Sequence, residues 1–283
     1  MSQKLLIIKK DGTEEVFNPQ KLRSSLMRSG ASKQTAQDIT IEVNKQIKNG
    51  STTDWIYSLA FKLLSERDDA APVRFRYSLR RAVSELGPSG FPFEKYIAEV
   101  FSAHGYNTMV GKKLKGKNVV HEIDVIAENS EEKITAELKF HNRPNIKTDL
   151  KVALYVTARF QDIISTGYYK PKKARPYLIT NTKFSTNAIK YVEGDGTLEL
   201  MGWDYPRKNK PNLHDFIQKS QIHPVTALTS FSKKDHQILI EEGFITCQDI
   251  KKNGGKDVHK LGLIKNKKVE NAIVEIDEIC VKE

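Results

Sequence analysis

The chain has 283 residues, of which 39% are hydrophobic and 29% are charged. This composition excludes a disordered polypeptide, and the length favours two or three domains over a single small core. The formal net charge of +11 is spread along the chain rather than confined to one tail, which is typical of proteins that associate with polyanions such as nucleic acid.

The sequence also excludes a membrane-spanning protein and a small disulfide-rich secreted protein. No apolar run approaches the roughly 20 residues that cross a bilayer, and the first residues lack the apolar core of a secretory signal. The two cysteines, Cys247 and Cys280, supply neither a disulfide framework nor a paired metal motif. We therefore expect a cytoplasmic protein without membrane segments.

The N-terminal segment, residues 1–87, is predicted to be a β-hairpin followed by helices. Two apolar stretches flank a Lys-Asp-Gly turn, as in a hairpin. Four helices are predicted to follow: the first, second and fourth stop at Gly30, Gly50 and Gly87, and Thr52 lies among the residues suited to cap the third.

This segment resembles the ATP-cone, a nucleotide-sensing domain of ribonucleotide reductases and their repressor. The matching residues are Lys9, Lys10, Asp11, Gly12, Glu15, Asn18, Lys21 and Thr52. The resemblance implies that ATP or dATP binds as an effector, with the compact ammonium charges of Lys9 and Lys21 toward its phosphates. The alternative is a surface hairpin with solvated lysines. The predicted nucleotide-binding residues are Lys9, Lys10, Glu15, Asn18, Lys21 and Thr52.

The chain contains no GxxxxGK[ST] loop for nucleotide hydrolysis. The ATP-cone resemblance likewise implies that the nucleotide is sensed rather than hydrolysed. Because ATP-cones often control assembly, we expect a homo-oligomer whose state changes with nucleotide.

The central segment, residues 88–205, follows a linker rich in Gly, Pro and Ser and is predicted to contain a strand hairpin. A turn at the Ser130–Glu131 bond places Asp124 opposite Glu137, and Lys139 lies on the same face as Glu137. Like charges directly across a strand pair destabilise a sheet. A bound Mg²⁺, which prefers carboxylate oxygens, would explain the pairing. An ordinary surface hairpin is the alternative.

The Asp124, Glu137 and Lys139 spacing resembles the PD-(D/E)xK nucleases, in particular Mrr-type restriction endonucleases and Holliday-junction resolvases. Mrr-type proteins commonly carry Gln at the position of Glu137, so this chain is nearer the resolvase form. The resemblance implies a Mg²⁺-dependent DNA endonuclease. Asp124, Glu137 and the Leu138 carbonyl would hold the metal, and Lys139 would act on the attacking water. Glu94, on the preceding helix, either assists the metal or is a solvated helix residue.

A polar stripe is predicted on the helix that follows. Lys151, Tyr155 and Arg159 are spaced four residues apart and share one face. We predict that they contact the DNA backbone; a solvated helix face is the alternative.

The C-terminal segment, residues 206–283, is predicted to consist of short helices and resembles helix-hairpin-helix modules. In such modules a glycine-containing hairpin offers backbone N–H groups to a phosphate. Gly262 and Lys265 are the predicted DNA contacts. A helical packing or dimerisation domain is the alternative.

The sequence thus predicts a multidomain α/β and α protein. It would combine an N-terminal hairpin-plus-helices ATP-cone, a central restriction-endonuclease-like mixed sheet and a small helical C-terminal domain. The predicted function is DNA hydrolysis regulated by ATP or dATP. A non-catalytic, nucleotide-responsive DNA-binding regulator is the alternative.

Overall fold

The computed structural model describes residues 5–67, 71–208 and 210–279, which form two compact units. The smaller unit contains the described residues up to Arg81 together with those from Val274 onward, and the larger unit is Ala82–Ile273. No helix in the described ranges is long and apolar enough to cross a membrane.

The smaller unit combines a short sheet with helices, as the sequence predicts. Its elements are β1 (Leu6–Ile8), β2 (Glu14–Val16), α1 (Pro19–Arg28), α2 (Lys33–Gln46), β3 (Ser51–Thr52), α3 (Thr53–Ser65) and α4 (Ala71–Ser84), which continues past the end of the unit. The strand order is β2-β1-β3. β1 is antiparallel to β2 and parallel to β3, a strand that is too short to be predicted from the sequence.

The helices of this unit begin at polar caps and bury one apolar face each. Asn18, Ser32 and Thr52 accept backbone N–H bonds at the starts of α1, α2 and α3, which satisfies donors that a helix leaves unpaired. The core between the helices includes Leu26, Ile39 and other fully buried aliphatic residues.

The larger unit is built on a mixed sheet. Its first elements are α5 (Phe91–Ala103), β4 (Asn107–Lys115), β5 (Val120–Glu128), β6 (Glu132–Lys139), β7 (Lys147–Thr148), α6 (Leu150–Ile164), β8 (Lys173–Thr180), β9 (Lys183–Phe184), α7 (Thr186–Asp195) and β10 (Glu199–Met201). The main sheet has five strands in the order β10-β8-β6-β5-β4, and β7 pairs with β9. β4, β5 and β6 are antiparallel neighbours, whereas β8 is parallel to β6 and β10.

Two helices cover this sheet. α5 packs against β4 and β5 and buries Phe93, Tyr96 and Phe101 completely or nearly so. α6 contributes Val156 and Phe160 to a core that also holds residues of β5, β8 and α7. Asp149 caps α6 by accepting the N–H of Val152.

The C-terminal part consists of short helices, as predicted. They are α8 (Leu213–Ser220), α9 (Lys233–Glu241), α10 (Cys247–Lys251), α11 (Lys256–Leu261) and α12 (Asn266–Ile279), with 3-10 turns at Val225–Ala227 and Lys252–Gly255. Ser232 with Asp235, and Thr246 with Asp249, form reciprocal capping boxes at α9 and α10. The sequence-predicted fold class, a multidomain protein with a helical C-terminal region, is confirmed.

An ion-pair network joins three strands of the main sheet. Arg175 on β8 pairs with Glu132 on β6 at 3.1 Å and with Glu199 on β10 at 2.7 Å. Lys210 also reaches Glu199, at 2.8 Å. Burial disfavours ionisation of Glu199, but the hydrogen bonds from Arg175 and Lys210 outweigh it and hold the pKa of Glu199 at about 2.

Replacing Glu199 by Gln should therefore cost stability in a pH-dependent way. A carboxyl whose folded pKa is about 2 and whose usual value is 4.5 stabilises the fold above pH 4.5 and loses that contribution as the pH falls through 2. We expect Glu199→Gln to be roughly 2 kcal/mol less stable at pH 7, with a smaller difference at pH 3. Urea unfolding followed by circular dichroism measures both; a difference independent of pH would contradict the assignment.

Candidate functional site

Asp124 lies at a break in the pairing of β5 with both of its neighbours. The β5–β6 ladder runs from Glu128–Lys133 to Val125–Ala136, the register that the sequence predicts, and stops before Asp124. On the other side, the β4–β5 ladder skips the position opposite Asp124, where Gly111 has a φ of +62°. The register is the same on both sides of this gap, so no residue is inserted, and Gly111 and Asp124 form a local break in the ladder beside the predicted catalytic site.

The Asp124 carboxylate bridges to the next strand. Its Oδ2 accepts the backbone N–H of Leu138 at 2.7 Å. Asp124 and the neighbour of Leu138, Glu137, are therefore close, as the hairpin register predicts. Burial and then repulsion from Glu137 raise the pKa of Asp124 to about 6, although the Leu138 amide, Lys139 and Arg159 oppose the shift.

Glu94 on α5 faces the same two carboxylates. Burial raises the pKa of Glu94 to about 7, and the charges of Asp124, Glu137 and Glu122 add to the shift. Charges raise the pKa of a carboxyl group in this way only when they lie near it, so the acidic side chains face one region. The sequence left open whether Glu94 lies at the site or is a solvated helix residue. In the structure it is half-buried beside Asp124 and Glu137.

Glu137 is held by three donors from the protein. Its Oε1 accepts hydrogen bonds from Lys139 Nζ at 2.7 Å and from the Tyr155 hydroxyl at 2.8 Å, and Arg159 binds its Oε2. Only 4% of Glu137 is exposed. The buried charge is thus paired and hydrogen-bonded, as a buried charge must be.

Lys139 is positively charged and turned toward Glu137. Burial disfavours the charge, but the hydrogen bonds to Glu137 and Tyr155 outweigh burial, so that the pKa of Lys139 is raised. Its Nζ also lies 5.5 Å from the centre of the Tyr155 ring. Lys139 is therefore a fixed cation beside the carboxylates.

Two residues of the predicted DNA-binding stripe have other partners. Tyr155 and Arg159 bind Glu137, and Arg159 also donates to the Glu122 carbonyl at 3.3 Å, whereas Lys151 is exposed. α6 buries Val156 and Phe160, which directly follow Tyr155 and Arg159 in the chain. Packing of this helix on the sheet therefore brings Tyr155 and Arg159 to Glu137 on β6. Sequence analysis did not foresee these contacts, and the DNA contacts of the three residues stay predictions.

The fit of a divalent cation to this site is partial. The oxygens of Glu94, Asp124 and Glu137 are hard donors of the kind that Mg²⁺ prefers. In the described parts of the chain, however, no group of three or more His, Cys, Asp or Glu side chains is arranged to hold a metal ion. A cation that used Glu137 would compete with Arg159 for it. The donor atoms therefore fit Mg²⁺, but the Arg159 guanidinium occupies one oxygen of Glu137 that a metal ion would use.

The predicted nucleotide residues of the smaller unit form a second charged cluster. Lys9 pairs with Glu15 at 2.8 Å and Lys21 pairs with it at 3.4 Å, which lowers the pKa of Glu15, mainly through Lys9. Ile8 pairs with Thr52, so the end of β1 lies beside the start of α3. Free N–H groups at a helix start favour anions, and Lys9 follows β1 at that position.

The other predicted nucleotide contacts differ in role. The side-chain oxygens of Asn18 and Thr52 are engaged as helix caps of α1 and α3, so these residues shape the backbone at the cluster. Lys10 lies in the exposed part of the hairpin turn.

At the C-terminal module, Gly262 ends α11 with a φ of +64°, and Lys265 is exposed just before α12. Both residues lie in the turn between α11 and α12, where the Gly262 N–H donates to the His259 carbonyl at 3.1 Å. Their binding to DNA stays a prediction.

Two known protein families match this chain, one near each end. Residues 5–85 match the ATP cone domain, and residues 223–280 match the model described as AF1548-like, C-terminal. The N-terminal ATP-cone prediction is thereby confirmed, and the C-terminal match is to a family that the sequence analysis did not name.

Two similar proteins have no assigned activity. An uncharacterized protein of Archaeoglobus fulgidus is 33% identical over 183 residues, covering 65% of this chain and 99% of that protein. The crystal structure titled protein of unknown function AF1548 is 31% identical, covers 68% of this chain and 98% of its own, and has a TM-score of 0.54. A repair endonuclease from Pyrococcus abyssi is 18% identical over 40% of this chain and 46% of its own, with a TM-score of 0.30.

Removing Arg159 should expose how strongly Glu137 depends on its partners. Arg159→Gln leaves a buried carboxylate without its guanidinium partner, and we expect a loss of roughly 3 kcal/mol in the free energy of unfolding at pH 7. Lys151→Gln, two turns earlier on the same helix and exposed, is the matched control and should stay within about 0.5 kcal/mol of the wild type. Equal stability of the two variants would contradict a structural role for the Arg159–Glu137 pair.

Proposed function

This chain belongs to the AF1548-like family, and we propose that it is a metal-dependent DNA endonuclease regulated by ATP or dATP at its ATP-cone domain. The observation that supports the proposal is the convergence of Glu94, Asp124 and Glu137 beside the fixed cation of Lys139. Burial, and after it repulsion between the carboxylates, raises the pKa of Glu94 and Asp124, and sites with such shifts are candidates for catalysis. The net charge of +11 suits a DNA substrate.

The roles of the residues follow from their contacts. Mg²⁺, when bound by Asp124, Glu137 and Glu94, supplies positive charge at the scissile phosphate and lowers the pKa of water. Lys139 orients the attacking water and stabilises the charge that develops on the phosphate oxygens. Glu137 fixes the Lys139 ammonium at 2.7 Å, and Tyr155 fixes Glu137 in turn.

Arg159 neutralises Glu137 in the form of the protein described above. Loading of the site with metal would transfer part of that neutralisation from Arg159 to the metal. The released guanidinium would lie next to the cleft and suit a DNA phosphate, since arginine binds phosphate in a bidentate manner. Arg159 would in this way join the predicted role of Lys151 and Tyr155 in backbone contact.

Three substitutions test the catalytic assignment. We expect Asp124→Asn, Glu137→Gln and Lys139→Ala each to lower the rate of plasmid nicking in Mg²⁺ by at least about 100-fold, because each removes a charge used in the reaction. Binding of duplex DNA, measured by fluorescence anisotropy, should change little.

The control for these variants is Glu99→Gln. Glu99 lies on α5 like Glu94, but its pKa is raised by burial and then by the charge of Asp249, and not by Asp124 or Glu137. Glu99→Gln should nick at the wild-type rate. Wild-type nicking by Lys139→Ala would remove the role assigned to that lysine.

Nucleotide binding is tested at the second cluster. Lys9→Ala removes the cation next to the start of α3, and we expect it to weaken ATP binding about 10-fold or more in isothermal titration calorimetry. The control is Lys62→Ala, since the Lys62 side chain on α3 is 73% exposed. Equal ATP affinity of the wild type and the Lys9 variant would contradict the assignment.

A second candidate function is a non-catalytic, nucleotide-responsive DNA-binding regulator. The observation that favours it is that both carboxylate oxygens of Glu137 accept hydrogen bonds from protein side chains, namely those of Lys139, Tyr155 and Arg159. DNA incubated with the protein and Mg²⁺, with and without ATP, separates the two candidates. A regulator retards DNA in a gel and leaves it intact, whereas a nuclease cuts it.

A further inference from the structure

The tip of the β4–β5 hairpin combines exposed lysines with exposed valines. Val119 is 58% exposed and Val120 is 61% exposed, the highest value among the large apolar side chains in the described ranges. The lysines of the hairpin are exposed too. They are Lys112, Lys113, Lys115 and Lys117. Apolar side chains next to cations on one projecting element match a nucleic acid, which offers phosphates and apolar base faces.

This tip is fixed in place by one carboxylate. Asp162 Oδ1 accepts the backbone N–H of Asn118 at 3.0 Å and also binds the Asn118 amide group. Its Oδ2 contacts His121 Nε2 at 2.8 Å and the N–H of Val119 at 3.4 Å. The hydrogen bond from His121 is the main cause that lowers the pKa of Asp162, so the anchor is charged. The exposed valines therefore extend from an ordered turn.

Gly116 allows the carboxylate to come this close. A Cβ at Gly116 would lie 2.0 Å from Asp162 Oδ2 and 2.9 Å from the Val119 carbonyl oxygen. Gly116 itself donates to that carbonyl at 2.7 Å and closes the turn. A side chain at 116 must displace the Asp162 carboxylate or the Val119 carbonyl, so glycine at this position lets Asp162 hold the turn that presents Val119 and Val120 to solvent.

We propose that Val119 and Val120 form a wedge that binds the branch point of DNA, where duplex changes to single strands. The proposal rests on the proposed endonuclease function and names its substrate class. Val119 lies in the bend before β5 and Val120 is the first residue of β5, so two exposed apolar side chains follow one another at the tip. The flanking lysines bind the phosphates of both strands.

A branch point is favoured over an intact duplex for an energetic reason. Insertion of apolar side chains between stacked bases must break the stacking at that step, which costs free energy. At a branch point the stack already ends, so the valines can cover the last base pair without that cost. Burial of two valines can then favour forked DNA by about 10-fold.

The wedge lies at a suitable distance from the candidate catalytic site. Val120 and Asp124 are on the same strand, four residues apart, which corresponds to about 13 Å. That is roughly four base-pair steps of a duplex. Cleavage is therefore expected a few nucleotides from the branch point.

The test compares two DNAs with equal numbers of phosphates, a straight duplex and a duplex with splayed arms that carries 2-aminopurine next to the fork. Anisotropy and 2-aminopurine fluorescence are recorded in EDTA with the full-length protein, so they do not depend on cleavage. Wild type should bind the fork about 10-fold tighter and increase the fluorescence. The double variant Val119→Thr/Val120→Thr, which keeps the side-chain shape, should lose both effects and keep its duplex affinity.

Two further variants keep the test decisive. Gly116→Ala removes no apolar atom but displaces the tip, and it should lose the fork preference like the double variant. Val274→Thr replaces a valine on α12 that is 59% exposed and should behave as wild type. Circular dichroism checks that each variant is folded.

Two results would overturn the wedge: equal binding of fork and duplex by wild type, or a fork preference that survives in the double variant. Binding to anionic lipid vesicles that depends on the two valines, without a fork preference, would instead identify a membrane-surface element and also overturn it. Mg²⁺-dependent cleavage of plain duplex is measured separately. Absence of this cleavage would contradict the nuclease function but not the fork preference. Equal binding of fork and duplex would contradict the wedge but not the nuclease function.

Discussion

The larger unit depends on one buried carboxylate, Glu137, and on the three donors that surround it. Lys139 lies on the same strand, whereas Tyr155 and Arg159 come from α6, so the contact links helix and sheet at the carboxyl end of β6. A buried charge without such partners would cost several kcal/mol. The same contact sets the position and the charge of Lys139. Stability and the proposed chemistry thus share one group.

Beside Glu137 lie two carboxyl groups whose ionisation is disfavoured. Asp124 has the Leu138 amide as a partner, yet its pKa is raised to about 6, and that of Glu94 is raised to about 7. A sequence selected for stability alone would avoid acidic groups that repel one another in a half-buried place, and proteins break such rules mainly at functional sites. The break in the β4–β5 ladder at Gly111, whose φ is positive, is a further irregularity opposite Asp124.

The sequence was sufficient for features that repeat along the chain. Alternation of apolar residues predicted the β5–β6 register, and with it the proximity of Asp124 and Glu137, because a strand has a period of two. It was insufficient for contacts set by packing. Arg159 lies 22 residues beyond Glu137, and no local pattern indicates that α6 crosses β6 at that turn. Thr52 was recognised as a cap, but its pairing with Ile8 depends on a strand of two residues.

Metal-dependent cleavage can be measured on an end-labelled DNA duplex incubated with the wild-type protein, once in Mg²⁺ and once in EDTA. We expect products of discrete lengths in Mg²⁺ and intact DNA in EDTA. We also expect the amount of cut DNA in Mg²⁺ to change when ATP is added. DNA that is bound but remains uncut in Mg²⁺, with and without ATP, would contradict the nuclease assignment and leave a nucleotide-responsive DNA-binding protein.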